Sequence, residues 1–180
     1  MLINLYISTY VLAALFGVSA LALLAAPDSS KRACMSFLRS REAAYVAFGA
    51  GIIWFLYILS QLGEADFGEI KLFLMAIFGG AGVLAFRDLP DFLSVRGVAV
   101  LALLACRFFL DSAYMMEPVS RLLLVSLSYI IVVAAMYFGA IPYRARDMFE
   151  WIYASKRRTL CTGAAFAVLA IALVAASIFY

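Results

Sequence analysis

Four charged side chains, Arg107, Asp111, Glu117 and Arg121, stand in the stretch "RFFLDSAYMMEPVSR", where two long apolar blocks meet. Arg107 and Asp111 are four residues apart, as are Glu117 and Arg121, so a helix would place each pair on one face. Two kinds of chemistry suit such a group. It can pin the outer end of a helical hairpin as a four-charge cluster, or it can hold an anionic headgroup. Acids drawn from Glu64, Asp66, Glu69, Asp111 and Glu117 could also hold a divalent cation against lipid phosphate. The charge asymmetry of a membrane protein accounts for the same acids without a metal.

Other chemistry is scarce. Histidine is absent, which removes histidine haem ligation, histidine-based zinc sites and histidine general bases. Cys34, Cys106 and Cys161 have no metal-ligand spacing. The serines lack a histidine base, and the lysines stand in the charged joints or, as Lys71 does, at the very end of an apolar block. There is no phosphate-binding glycine loop and no basic domain suited to nucleic acid. No acidic or basic residue lies near the middle of an apolar block, which argues against ion-coupled transport. The sequence thus calls for no catalytic residue, no cofactor and no metal.

The elements that would position these groups are membrane helices. Hydrophobic residues make up 67% of the 180 positions and charged ones 14%, where a soluble domain carries about 25% charged residues. The mean hydropathy is +1.05. The apolar residues fall into continuous blocks without the inside–outside alternation of a barrel strand. About 20 residues of helix cross a hydrocarbon core of about 30 Å. The expected fold is an all-α polytopic bundle, a single membrane domain over residues 1–180. Its spans are placed at about 2–26, 43–62, 70–86, 92–110, 122–141 and 160–180, paired in order as three hairpins. The first block lacks the basic start of a signal peptide and is read as a retained span. The fourth spans only if Arg96 and Arg107 snorkel to opposite faces; a re-entrant fourth block, leaving five spans, is the alternative.

Charge sets the orientation. Eleven of the fourteen Lys and Arg residues fall in alternate joints, at 27–42, 87–96 and 142–158. The positive-inside rule then places both termini outside the cytoplasm, as in a bacterial inner-membrane protein. Each basic joint holds a proline where a helix would stop: Pro27, Pro90 and Pro142. "RDLPDFL" and "RDMFEWI" share a loose pattern that would suit related hairpins, although arginine and aromatics at a membrane face explain it equally.

Two further patterns bear on function. Residues 144–158 read as a short interfacial helix carrying Arg144, Arg146, Trp151, Lys156, Arg157 and Arg158, suited to anionic lipid or a partner. Small residues, namely Ala47 and Gly51 in the second block and Ala76, Gly79, Gly80 and Gly82 in the third, predict close contact between those two helices. On that reading Gly80→Leu costs more stability than Gly17→Leu. The function expected is that of a non-catalytic subunit, or an assembly or scaffold factor, of a larger membrane complex. It would act in the bilayer by packing on other membrane subunits or on itself. A small-solute or lipid-handling transporter or channel, working as a homo-oligomer, is the alternative.

Overall fold

The computed structural model describes residues 2–63, 70–88 and 92–180. These residues form eight helices and no strand: α1 (Leu2–Ala25), α2 (Pro27–Arg39), α3 (Arg41–Ser60), α4 (Lys71–Asp88), α5 (Leu93–Ala113), α6 (Arg121–Ala140), α7 (Tyr143–Tyr153) and α8 (Lys156–Ser177). In lipid a helix satisfies its own backbone, so continuous apolar sequence becomes continuous helix. Polar punctuation sets the ends. Pro27 opens α2, where its missing amide proton is not needed. Ser40 is extended, and its hydroxyl accepts from the Ala43 amide at 3.1 Å to start α3.

Five helices, α1, α3, α5, α6 and α8, are long and apolar enough to cross a membrane. The remaining long helix, α4, has 18 residues and carries Lys71, Arg87 and Asp88. The weak member is therefore the third block. The fourth, α5, has 21 residues because helix continues past Arg107 to Ala113.

The helices do not pair as consecutive hairpins. α1 runs antiparallel to α8: Leu23 and Leu24 pack on Gly163, while Thr9 Oγ1 lies 2.9 Å from the Tyr180 hydroxyl. α4 returns antiparallel on α3, with Phe55 and Phe78 rings 5.2 Å apart and Lys71 Nζ donating to the Ser60 carbonyl at 3.4 Å. α5 runs parallel to α3, Gly97 lying on Ala47 and Phe48 and Gly51 on Val100. α6 then returns on α5, where the Cys106 thiol points to the Ser128 carbonyl at 3.5 Å. Two of the expected pairs, α1 with α3 and α6 with α8, fail because their basic joints are themselves helices. At about 1.5 Å per residue, α2 and α7 hold the ends they connect well apart.

The main core lies toward the end away from these joints, where Leu5, Leu12, Phe109, Leu124 and Leu173 from α1, α5, α6 and α8 meet. Ser8 and Ser112 hydroxyls lie 2.7 Å apart within it, so two buried polar groups satisfy each other. A smaller cluster of Leu38, Val95 and Ala145 joins α2, α5 and α7 at the basic end.

Candidate functional site

Antiparallel packing gathers the three basic joints at one end of the bundle. There α2 and α7 lie against each other, and α2 also meets α5. α2 is a helix where the sequence pattern alone indicates only a charged connection. Its signal was present, since Ser30, Cys34 and Leu38 recur every four residues and point inward, but the charges of the joint masked it. The expected interfacial helix is α7. Its apolar face is turned inward, with Ala145 and Ile152 buried and Met148 and Phe149 half-buried. Trp151 stays exposed, with the Arg158 guanidinium 4.9 Å above its ring. Arg144 lies 5.6 Å from the Tyr143 ring, and Lys156 and Arg157 are exposed at the start of α8. Arg146 reaches Asp147 at 3.5 Å and Glu150 at 3.6 Å.

One short bond ties α2 to α7: Ser30 Oγ and the Tyr153 hydroxyl are 2.6 Å apart. Burial pushes the Tyr153 hydroxyl above its ordinary range, partly opposed by the Ser30 bond and reinforced by nearby Cys34. A raised folded-state value means that this contribution is complete below the ordinary tyrosine range, about pH 10. It is lost as pH rises through the folded value. Tyr153→Phe should therefore cost about 1 kcal/mol at neutral pH. Thermal unfolding in detergent should show part of the wild-type alkaline loss missing in the variant.

Beneath α2 and α7 lies a cavity of about 270 Å³. α5 and α6 contribute small walls, including Ala99, Ala102, Ala134 and Ala135, and Leu38 and Phe149 form the cover. A second hollow of about 350 Å³ shares Leu38 and is bordered by Arg39, Arg41 and Ser94.

At the opposite end, the four-charge cluster is only partly assembled. Arg107 Nε lies 3.7 Å from Asp111 Oδ2, with side chains 60% and 72% exposed. Such a pair contributes about 0–1 kcal/mol. Arg121 instead donates to the Ala113 carbonyl at 3.1 Å, satisfying the end of α5. Glu117 is exposed and has no ion-pair partner among the described residues. The reason is local. Glu117 precedes α6 and Arg121 begins it, so their spacing defines no shared helical face. Asp111 and Arg121 do border one open hollow, with Tyr114 and Tyr129. Glu64, Asp66, Glu69 and Pro90 lie outside the described residues.

The small residues divide between two surfaces. Ala47 and Gly51 are buried against α5, which corrects their expected use against α4. The glycine opposite them, Gly97, was missed because it adjoins Arg96 at a block end. Gly82 meets Ile52, and Gly79 approaches Leu56 at 3.8 Å. Gly80 has no atom within 4 Å of where a Cβ would stand, and Ala76 is exposed. The expected penalty for Gly80→Leu therefore has no contact behind it within this chain. Cys34, Cys106 and Cys161 are half-buried, buried and exposed respectively. No three acidic or thiol side chains gather as a metal set among the described residues. No family model, no curated protein and no solved structure matches this chain.

Proposed function

We propose that the chain is a non-catalytic integral membrane subunit or assembly factor that docks a transmembrane helix of another subunit on α4. The observation supporting this reading is the one-sided packing of α4. It rests on α3 and makes no comparable contact with α5, from which a crevice of about 420 Å³ separates it. Its outward face carries Phe73, Ala76, Ile77, Gly80 and Leu84, all exposed. Exposed apolar residues alone mean little in lipid. Ala76 and Gly80, four residues apart on that face, additionally allow a neighbouring backbone to approach closely.

In this reading the chain crosses a bacterial inner membrane six times. α3 and α5 run the same way, so α4 must carry the chain back through the same layer. Its 18 residues extend about 27 Å at about 1.5 Å each, with Lys71 and Arg87 near the two ends to snorkel. The basic end faces the cytoplasm.

Gly80→Leu should leave the thermal unfolding of the purified chain within about 0.5 kcal/mol of wild type. The same change should remove the partner that co-purifies from native membranes in mild detergent. Gly80→Cys should crosslink to that partner, and a crosslink to a second copy would reassign the face to self-association. A monomeric wild-type species after gentle extraction, or unchanged assembly in the leucine variant, would overturn the reading.

A further inference from the structure

We infer that the basic end holds one anionic diacyl phospholipid, with an acyl chain in the cavity beneath α2 and α7 and its phosphate in the adjoining arginine-bordered hollow. The cavity is a space that the chain's own side chains leave unfilled. Four alanines, Ala99, Ala102, Ala134 and Ala135, recede from it, and its lining is almost wholly carbon. Water there would find no hydrogen-bond partners, so the space suits an apolar occupant. In a protein whose solvent is lipid, that occupant is a hydrocarbon tail.

The charge beside the cavity specifies the head. Leu38 is a common wall, with the apolar cavity on one side and the hollow bordered by Arg39, Arg41 and Ser94 on the other. On α5, Ser94 lines the hollow and Val95 lines the cavity. Arg39 and Arg41 are exposed, and neither makes an ion pair among the described residues. On α7, by contrast, Asp147 and Glu150 already pair with the Arg146 guanidinium. Arg144 likewise has Asp147 at 3.9 Å. The acids of α7 thus occupy its own arginines and leave Arg39 and Arg41 for another anion. Phosphate matches the forked geometry of a guanidinium. A free phosphate would satisfy the arginines but leave the cavity unfilled. A neutral lipid would fill the cavity but leave the arginines without a counter-charge.

The test uses the full chain, stripped of lipid in detergent and then given phosphatidylglycerol, phosphatidylcholine with the same tails, or glycerol phosphate. Retained lipid is counted by native mass spectrometry, and the midpoint of thermal unfolding is followed in parallel. Phosphatidylglycerol should be retained at least tenfold better than phosphatidylcholine and should raise the midpoint, while glycerol phosphate should do neither. Ala134→Phe, which fills the cavity, should abolish retention without lowering the lipid-free midpoint. Arg39→Gln combined with Arg41→Gln should reduce retention about tenfold and remove the preference over phosphatidylcholine. If the phenylalanine variant does not fold, these arginine variants decide the matter. Equal retention of the two lipids, a matching effect of glycerol phosphate, or unaltered retention in the arginine variants would overturn the assignment. So would full retention by a folded Ala134→Phe protein.

Discussion

Gly97→Leu should destabilise the bundle by more than about 3 kcal/mol, at or beyond the upper end of ordinary overpacking. A Cβ at this position would meet main chain: the Phe48 amide nitrogen, and the Ala47 carbonyl carbon and Phe48 Cα at 2.8 Å each. A clashing side chain can turn to another rotamer, whereas a clashing backbone can yield only if two helices separate. Separating α3 from α5 also loosens α4, which is held through α3. Even Gly97→Ala should therefore cost about 1–3 kcal/mol. Gly80→Leu, with no neighbour within 4 Å, supplies the control on a glycine of the same bundle. Thermal unfolding of the three variants in one detergent checks the ranking. A Gly97→Ala protein as stable as wild type would mean that α3 and α5 do not approach this closely.

The second large effect is all-or-none. A phosphatase that folds only outside the cytoplasm should be active when fused after Tyr180 and inactive when inserted in the joint between α7 and α8. Two independent features lead to this expectation. The α1–α8 pairing brings Thr9 and Tyr180 together, so the start of α1 and the end of α8 share one end of the bundle. The eleven lysines and arginines of the basic joints belong to the other end, and the positive-inside rule assigns that end to the cytoplasm. Activity at the α7–α8 joint together with silence at Tyr180 would reverse the orientation. Activity, or silence, at both sites would mean that α8 does not cross the membrane.

Membrane character was legible because its cause is local: an apolar run in lipid has no stable alternative to helix. Partner choice was not. Between membrane helices the hydrophobic effect discriminates little, so Gly80 and Gly97 look alike in sequence although one meets nothing and the other touches backbone. The separating feature is the opposing surface, and Ala47 and Gly51 lie 50 and 46 positions away from Gly97 in the chain. α2 was hidden for another reason. Its charges spoke so clearly for a cytoplasmic joint that the inward repeat of Ser30, Cys34 and Leu38 went uncounted. At the end away from the basic joints, the four-residue spacing brings Arg107 to Asp111 because both lie on α5. It failed for Glu117 and Arg121 because only one of them is helical.

The α1–α8 pairing also sets a timetable. α1 is made first among the eight helices and its chief partner last, with 130 residues between Ala25 and Lys156. At about 5–20 residues per second, synthesis leaves α1 waiting on the order of ten seconds in the bilayer before α8 arrives. A polar group on its packing face would be a hazard in that interval. The Thr9 hydroxyl avoids it by donating to the Leu5 carbonyl at 2.9 Å, within its own helix, a bond that requires no neighbour. Ser8 has its partner earlier, once α5 delivers Ser112. The nascent helix can thus remain soluble in lipid as a lone element, and the seam that closes the bundle is also the last to form.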